Sequence, residues 1–152
     1  MSDQQAVFNI EKIYLKDASL EAPNAPHVFL EPGQPQIEVT LQTQAGPIRE
    51  SLFEVTVTAT VTAKAGERTY FLVEAAQAGI FQIRNVPSAD LEAILAIPCA
   101  NIIFPYLRES VADLISRAGF PPIHLAPVNF DAMYAERAKR PTETGPRIEI
   151  TH

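Results

Sequence analysis

With only one cysteine, Cys99, the chain can form no internal disulfide framework, and this usage fits a reducing cytosol. Glycine is scarce: six residues leave little room for a phosphate loop or a dinucleotide fingerprint, and neither pattern occurs. A serine nucleophile elbow of the G-x-S-x-G type is also missing. Basic charge is in deficit, with 12 Lys+Arg against 18 Asp+Glu and a net charge of −6. That balance argues against nucleic acid or an anionic membrane as the main partner and favours a basic surface on another protein. No apolar run approaches the roughly 18 residues of a membrane span, and Met1–Ala6 is polar without a cationic start. The expectation is a soluble cytoplasmic protein with no direct membrane insertion.

Catalytic and metal chemistry have little to stand on. The three histidines, His27, His124 and His152, lie far apart, without zinc-ligand spacing and without a second cysteine to complete a site. Cys99 sits between Pro98 and Ala100 in an apolar stretch, like a buried small hydrophobe more than a nucleophilic thiolate. No enzyme, no cofactor and no metal is expected.

What is present is a chain of 152 residues, 47% hydrophobic, enough for one domain with a real core. In Val7–Leu15, strict alternation puts Phe8, Ile10 and Tyr14 on one strand face and Val7, Ile13 and Leu15 on the other. Ile37, Val39 and Leu41 alternate with polar neighbours, and Phe53–Thr62 is apolar at odd positions and mostly threonine at even ones. Such a run predicts a half-buried antiparallel strand. Ala65-Gly66 turns the chain into a hairpin partner over Glu67–Ile83. Within that partner, Ala75-Ala76-Gln77-Ala78-Gly79 is nearly stripped of side chains. It reads either as a bulge or as a smooth surface for another subunit or an extended peptide.

After Pro87 the period changes to that of helices. One helix begins at Ser88 and is expected to stop at Pro98. A second is expected from near Pro105 to Ala118, burying Leu107, Val111, Leu114 and Ile115, with Arg108, Glu109, Asp113 and Arg117 facing away. A third runs from Asn129 to about Lys139, and a loose polar tail follows from Pro141. Strands first and helices after predict an α+β fold: an antiparallel sheet with helices packed on one face. Residues 1–140 form the domain and 141–152 the tail.

Between the first two strands lies Glu21-Ala-Pro-Asn-Ala-Pro-His-Val-Phe29. Its prolines, and the alanines before them, predict a stiff extended connector that delivers Val28 and Phe29 either as an anchor or as a groove lining. Asp17, Glu21 and Glu74 are candidates for an acidic face where the first strand ends and the fourth passes.

This connector, with Asn101-Ile-Ile-Phe-Pro-Tyr-Leu-Arg-Glu109 and Phe120-Pro…Leu125-Ala-Pro-Val-Asn-Phe-Asp-Ala132, resembles the signatures of the SecB export chaperones. The resemblance is collinear from about Phe8 to Tyr134. It implies a four-stranded antiparallel sheet with helices on one face, assembled as a dimer of dimers. It also implies a cytoplasmic homotetramer that holds unfolded precursor proteins in hydrophobic grooves and hands them to the SecA ATPase. By the same resemblance Asp17, Glu21, Leu72 and Glu74 match the SecA-docking positions, and Phe29, Met133 and Tyr134 match the groove wall. Ala75 and Gln77 match strand positions linked to assembly and client binding. Many members carry a tryptophan in the Glu31–Pro35 loop, where this chain has Gly33 and no tryptophan anywhere. Two alternatives stay open: a SecB-like chaperone dedicated to an antitoxin, and a small-hydrophobic-ligand carrier.

Overall fold

A computed structural model of the chain describes residues 5–139 and, as backbone, 147–151. Four long strands, β1 (Val7–Glu21), β2 (Gln36–Arg49), β3 (Leu52–Ala65) and β4 (Arg68–Arg84), pair antiparallel in the order β1-β4-β3-β2. Alternation does what the sequence predicts in β3: Val55, Val57, Ala59, Val61 and Ala63 are buried, while Thr58, Thr60 and Thr62 lie on the opposite, outer face. Gly66, at φ 62°, supplies the left-handed residue that closes the β3–β4 hairpin.

A fifth strand, β5 (Arg147–Thr151), adds to β2, so the sheet has five strands where four are expected. Part of the expected loose tail is therefore paired; residues 140–146 and 152 lie outside the described ones.

β1 departs from strict alternation. Its register against β4 slips between Ile10 and Lys12 and again between Leu15 and Asp17, leaving Glu11 and Lys16 as extra residues. Each bulge flips the phase of the strand. Phe8, Ile10, Ile13 and Leu15 consequently share the helix-side face, opposite Ile83, Phe81, Gly79 and Gln77, while Tyr14 turns outward opposite Ala78. The division of β1 faces drawn from simple alternation is corrected accordingly.

The small-residue stretch of β4 holds no bulge against β3: Ala75 to Gly79 pair in unbroken register with Ala59 to Val55. The smallness serves packing. Ala75 is fully buried, Gln77 accepts a 2.9 Å hydrogen bond from Ser110 Oγ, and a Cβ on Gly79 would meet the Phe81 ring at 2.9 Å.

The helices form one run instead of two pieces. α1 (Ser88–Ile94) passes through a π-turn (Leu95–Cys99) into α2 (Ala100–Arg117), so neither Pro98 nor Pro105 is a boundary. A π-turn widens the backbone where Pro98 lacks a donor. The burial of Ile103, Phe104, Leu107, Val111 and Ile115 against β3 and β4 offsets the bond lost at Pro105. By length and composition Ser88–Arg117 is apolar enough to cross a membrane, contrary to the sequence expectation, but this stripe is committed to the sheet. Arg108 does not face away: its Nε donates to the Leu125 carbonyl at 2.9 Å, and its guanidinium lies 5.0 Å from the Phe104 ring centre. Asp113 and Arg117 pair as expected, at 3.1 Å. Asn129 caps α3 (Phe130–Lys139), its Oδ1 accepting from the Ala132 N–H at 3.0 Å.

Candidate functional site

Two surfaces, one on each side of the sheet, gather five of the nine site residues singled out from the sequence: Asp17, Glu21, Leu72 and Glu74 on one and Phe29 on the other. On the outer face, register places Glu21, Leu72, Thr62 and Glu38 in one row across β1, β4, β3 and β2. The next row holds Ser19, Glu74, Thr60 and Thr40, and the third Asp17, Ala76, Thr58 and Gln42. With strands about 4.8 Å apart, this unites Asp17, Glu21, Leu72 and Glu74 in one patch. The three carboxylates are exposed and make no ion pair among the described residues; Glu74 accepts a 3.1 Å hydrogen bond from Thr60 Oγ1. Leu72 lies half-buried among them. Glu38 is a fourth carboxylate on this face that pattern reading missed, because only strand order reveals it.

Further along the same face the charge is neutralised locally. Lys16 bonds Glu54 at 2.7 Å, and the Tyr14 hydroxyl donates to the other carboxylate oxygen. The bond from Lys16, then that from Tyr14, holds the Glu54 carboxyl below its usual range. Burial, reinforced by Glu54, pushes the Tyr14 hydroxyl up to about 12.

On the opposite side, the connector after β1 forms a groove wall, though not as an extended segment. Residues 23–26 turn, with the Val28 N–H on the Asn24 carbonyl at 2.9 Å, and His27–Leu30 winds into a 3₁₀ turn whose Phe29 N–H donates to the Pro26 carbonyl at 3.0 Å. Proline's fixed φ suits a turn as well as an extended chain, and the Asn24 side chain decides the matter by donating to the Thr69 carbonyl of β4 at 2.9 Å. The two apolar residues then divide the work. Val28 is buried and pins the connector, whereas Phe29 stays 47% exposed.

Phe29 stacks on Phe120 with ring centres 5.0 Å apart; Phe120 lies 5.0 Å from Phe71 and 6.2 Å from Tyr70. Around these rings runs a groove of about 500 Å³ that also takes in Ile37, Pro121, Pro122 and Ile123. Gly119, at φ 92°, turns the chain from α2 into this wall, and a Cβ there would press on Phe29 at 3.2 Å. Gly33 lines the groove too; a Cβ on it would lie 3.0 Å from the Tyr70 hydroxyl, so a larger residue must displace that ring or swing outward. Arg68 holds the loop by pairing with Glu31 at 2.6 Å.

Met133 and Tyr134 do not line this groove. Met133 is 4% exposed within the core, and Tyr134 is half-buried on α3, which packs against the π-turn. Phe120 and Tyr70 stand beside Phe29 instead, a nearness that depends on how α2 ends. Ala75 and Gln77, covered by α2, face neither surface.

Chemistry is meagre among the described residues. No cluster of three potential metal ligands occurs, and burial pushes the Cys99 thiol up to about 12, far from a reactive thiolate. His27, at the start of the 3₁₀ turn, and His124, in a loop, are exposed, and His152 lies outside the described residues.

Comparison with known proteins gives one consistent result. The family model described as preprotein translocase subunit SecB matches residues 1–141. The chain is 55% identical over 148 residues to the protein-export protein SecB of Chromobacterium violaceum, covering 95% of this chain and 99% of that protein. It is 62% identical over 131 residues to its namesake in Aromatoleum aromaticum, covering 86% and 82%. Among solved structures, the fold resembles a SecB-like chaperone of Mycobacterium tuberculosis in complex with an antitoxin peptide. The TM-score is 0.67 at 20% identity, covering 80% of this chain and 91% of that one.

Proposed function

The chain belongs to the SecB family, and on that premise we propose that it is an export chaperone, a holdase that keeps unfolded precursor proteins competent for translocation. The observation that carries this reading is the Phe29–Phe120 groove, an aromatic surface left half open at the end of a pinned connector. Aromatic walls bind many apolar sequences with little directional demand, as a chaperone with many clients requires. Half-exposed Phe29 marks a trough open to a polypeptide, which suits a chain-like client better than a small ligand enclosed by a carrier.

The exposed patch of Asp17, Glu21 and Glu74 around Leu72 serves as the docking face for SecA. Its carboxylates attract a basic partner segment at long range, and Leu72 supplies an apolar contact at short range. The protein works in the cytoplasm as a dimer of dimers. Phe8, Ile10 and Leu15, each between 41% and 49% exposed on the helix-side face of the edge strand β1, support a subunit interface there.

Light scattering with and without a reduced, alkylated polypeptide tests the reading. A tetramer that gains the mass of the polypeptide, together with suppressed aggregation of refolding clients, is expected. A species that binds small apolar dyes but no unfolded chain overturns it.

A further inference from the structure

The groove does not end at its aromatic rings. Ile37 of β2 lines it, and Val39 and Leu41, next on the same face of that strand, are buried. Here β5 begins its pairing: Glu38 with Thr151, Val39 with Ile150, Thr40 with Glu149, Leu41 with Ile148 and Gln42 with Arg147. The segment Arg-Ile-Glu-Ile-Thr alternates, and the register sets each isoleucine opposite a core-facing residue of β2. A five-residue strand paired on one side only is weakly held, the kind of element that opens locally at low cost.

We propose that Arg147–Thr151 is an internal stand-in for client backbone. It occupies the β2 edge while the chaperone is empty. An extended polypeptide that runs out of the aromatic groove along β2 displaces it. Both need the same outward N–H and C=O groups of Glu38–Gln42, so the two occupancies exclude each other. The client segment that fits is extended and alternating, with apolar residues where Ile148 and Ile150 stand. The arrangement also covers an open edge that would otherwise recruit strands from neighbouring chaperones. This inference rests on the client-binding reading above.

The test uses the full chain carrying Glu149→Pro and Ile150→Pro together. Adjacent strand residues point their N–H groups to opposite sides, so one of the two prolines must delete a donor facing β2. Two probes are compared: a long reduced and alkylated polypeptide, and an aromatic peptide of about six residues, short enough to stay within the groove. The variant is expected to bind the long probe about three- to tenfold more tightly and the short one unchanged, since a closed edge weakens apparent affinity by the fraction open. Without client, the outward amides of Glu38–Gln42 are expected to exchange faster in the variant. Unchanged exchange means that β5 does not hold the edge; faster exchange with equal or weaker binding of the long probe means that it holds the edge without competing. Either result overturns the proposal. If the unaltered chain binds no long polypeptide, the chaperone reading itself falls.

Discussion

The two faces of the sheet are made from the same strands, yet they differ in how their residues were assembled. The outer face is a lattice: each of Asp17, Glu21, Leu72 and Glu74 owes its place to strand register alone. The groove is a junction, where a connector, a helix end, a loop and two strands converge on Phe120. A lattice presents fixed charge at fixed spacing, which suits recognition of one partner. A junction of rings joined through loops can re-pack, which suits many partners. The layer between them is the buried core, and a substitution there should damage both surfaces together.

The largest expected effect falls on that shared layer. Met133 is buried, so Met133→Ser should lower stability by about 3 kcal/mol through lost burial and a cavity. Tyr134→Ser, half-buried on the same helix, should change stability by about 0.5 kcal/mol or little more and leave client affinity unaltered. Denaturant melts and client titrations of the two variants read both quantities. A groove role for α3 would show as the reverse: a stable Tyr134 variant that has lost client binding.

Next comes charge reversal on the outer face. Glu21→Lys with Glu74→Lys should weaken SecA binding by about a hundredfold, because attraction becomes repulsion at two neighbouring rows. Client affinity should hold within about twofold, as the groove lies across the sheet. Calorimetry with SecA and with an unfolded polypeptide decides it. Undiminished SecA affinity in the double variant removes the docking assignment. A smaller effect is expected from Phe29→Ser, about tenfold in client affinity through a lost ring stack, with SecA binding intact. Equal loss of both functions would show that the faces are not separate.

The asymmetry between lattice and junction also explains what could be read from the sequence. Alternation over Phe53–Thr62 predicts both faces of β3 correctly, because period two survives wherever register is unbroken. It fails in β1, where extra residues at Glu11 and Lys16 reverse the phase and no local signal marks them. Pro98 and Pro105 read as helix breaks, but tertiary burial of the stripe from Ile103 to Ile115 overrides local preference. The acidic patch was legible in outline, because Asp17, Glu21 and Glu74 follow from where the first strand ends and the fourth passes; Leu72 entered only through the family resemblance. Phe120 and Tyr70 were not, since their meeting with Phe29 depends on a turn at Gly119 and on how a connector folds. Arg147–Thr151 alternates, but five polar-flanked residues next to breakers look like a tail until β2 offers them an edge.

The smallest effect tests whether the outer face is itself divided, with carboxylates that make no ion pair among the described residues at one end and the Tyr14–Glu54–Lys16 cluster at the other. Glu54 is held below the usual carboxylate range when folded, so its contribution is present above the unfolded value and vanishes as pH falls through the folded one. The stability gap between the native chain and Glu54→Gln should therefore be open at neutral pH and close on acidification. Tyr14 shifts the opposite way: its contribution is complete below about 10 and is lost as pH rises towards about 12. Tyr14→Phe should thus narrow its gap to the native chain only in alkali, and should delete an ultraviolet phenolate transition near pH 12. Melts across pH read both gaps. SecA affinity measured on both variants at neutral pH should stay within about twofold of native, since neither residue belongs to the proposed docking rows. Loss of SecA binding in either would extend the proposed docking face along the whole sheet and erase the division between its two ends.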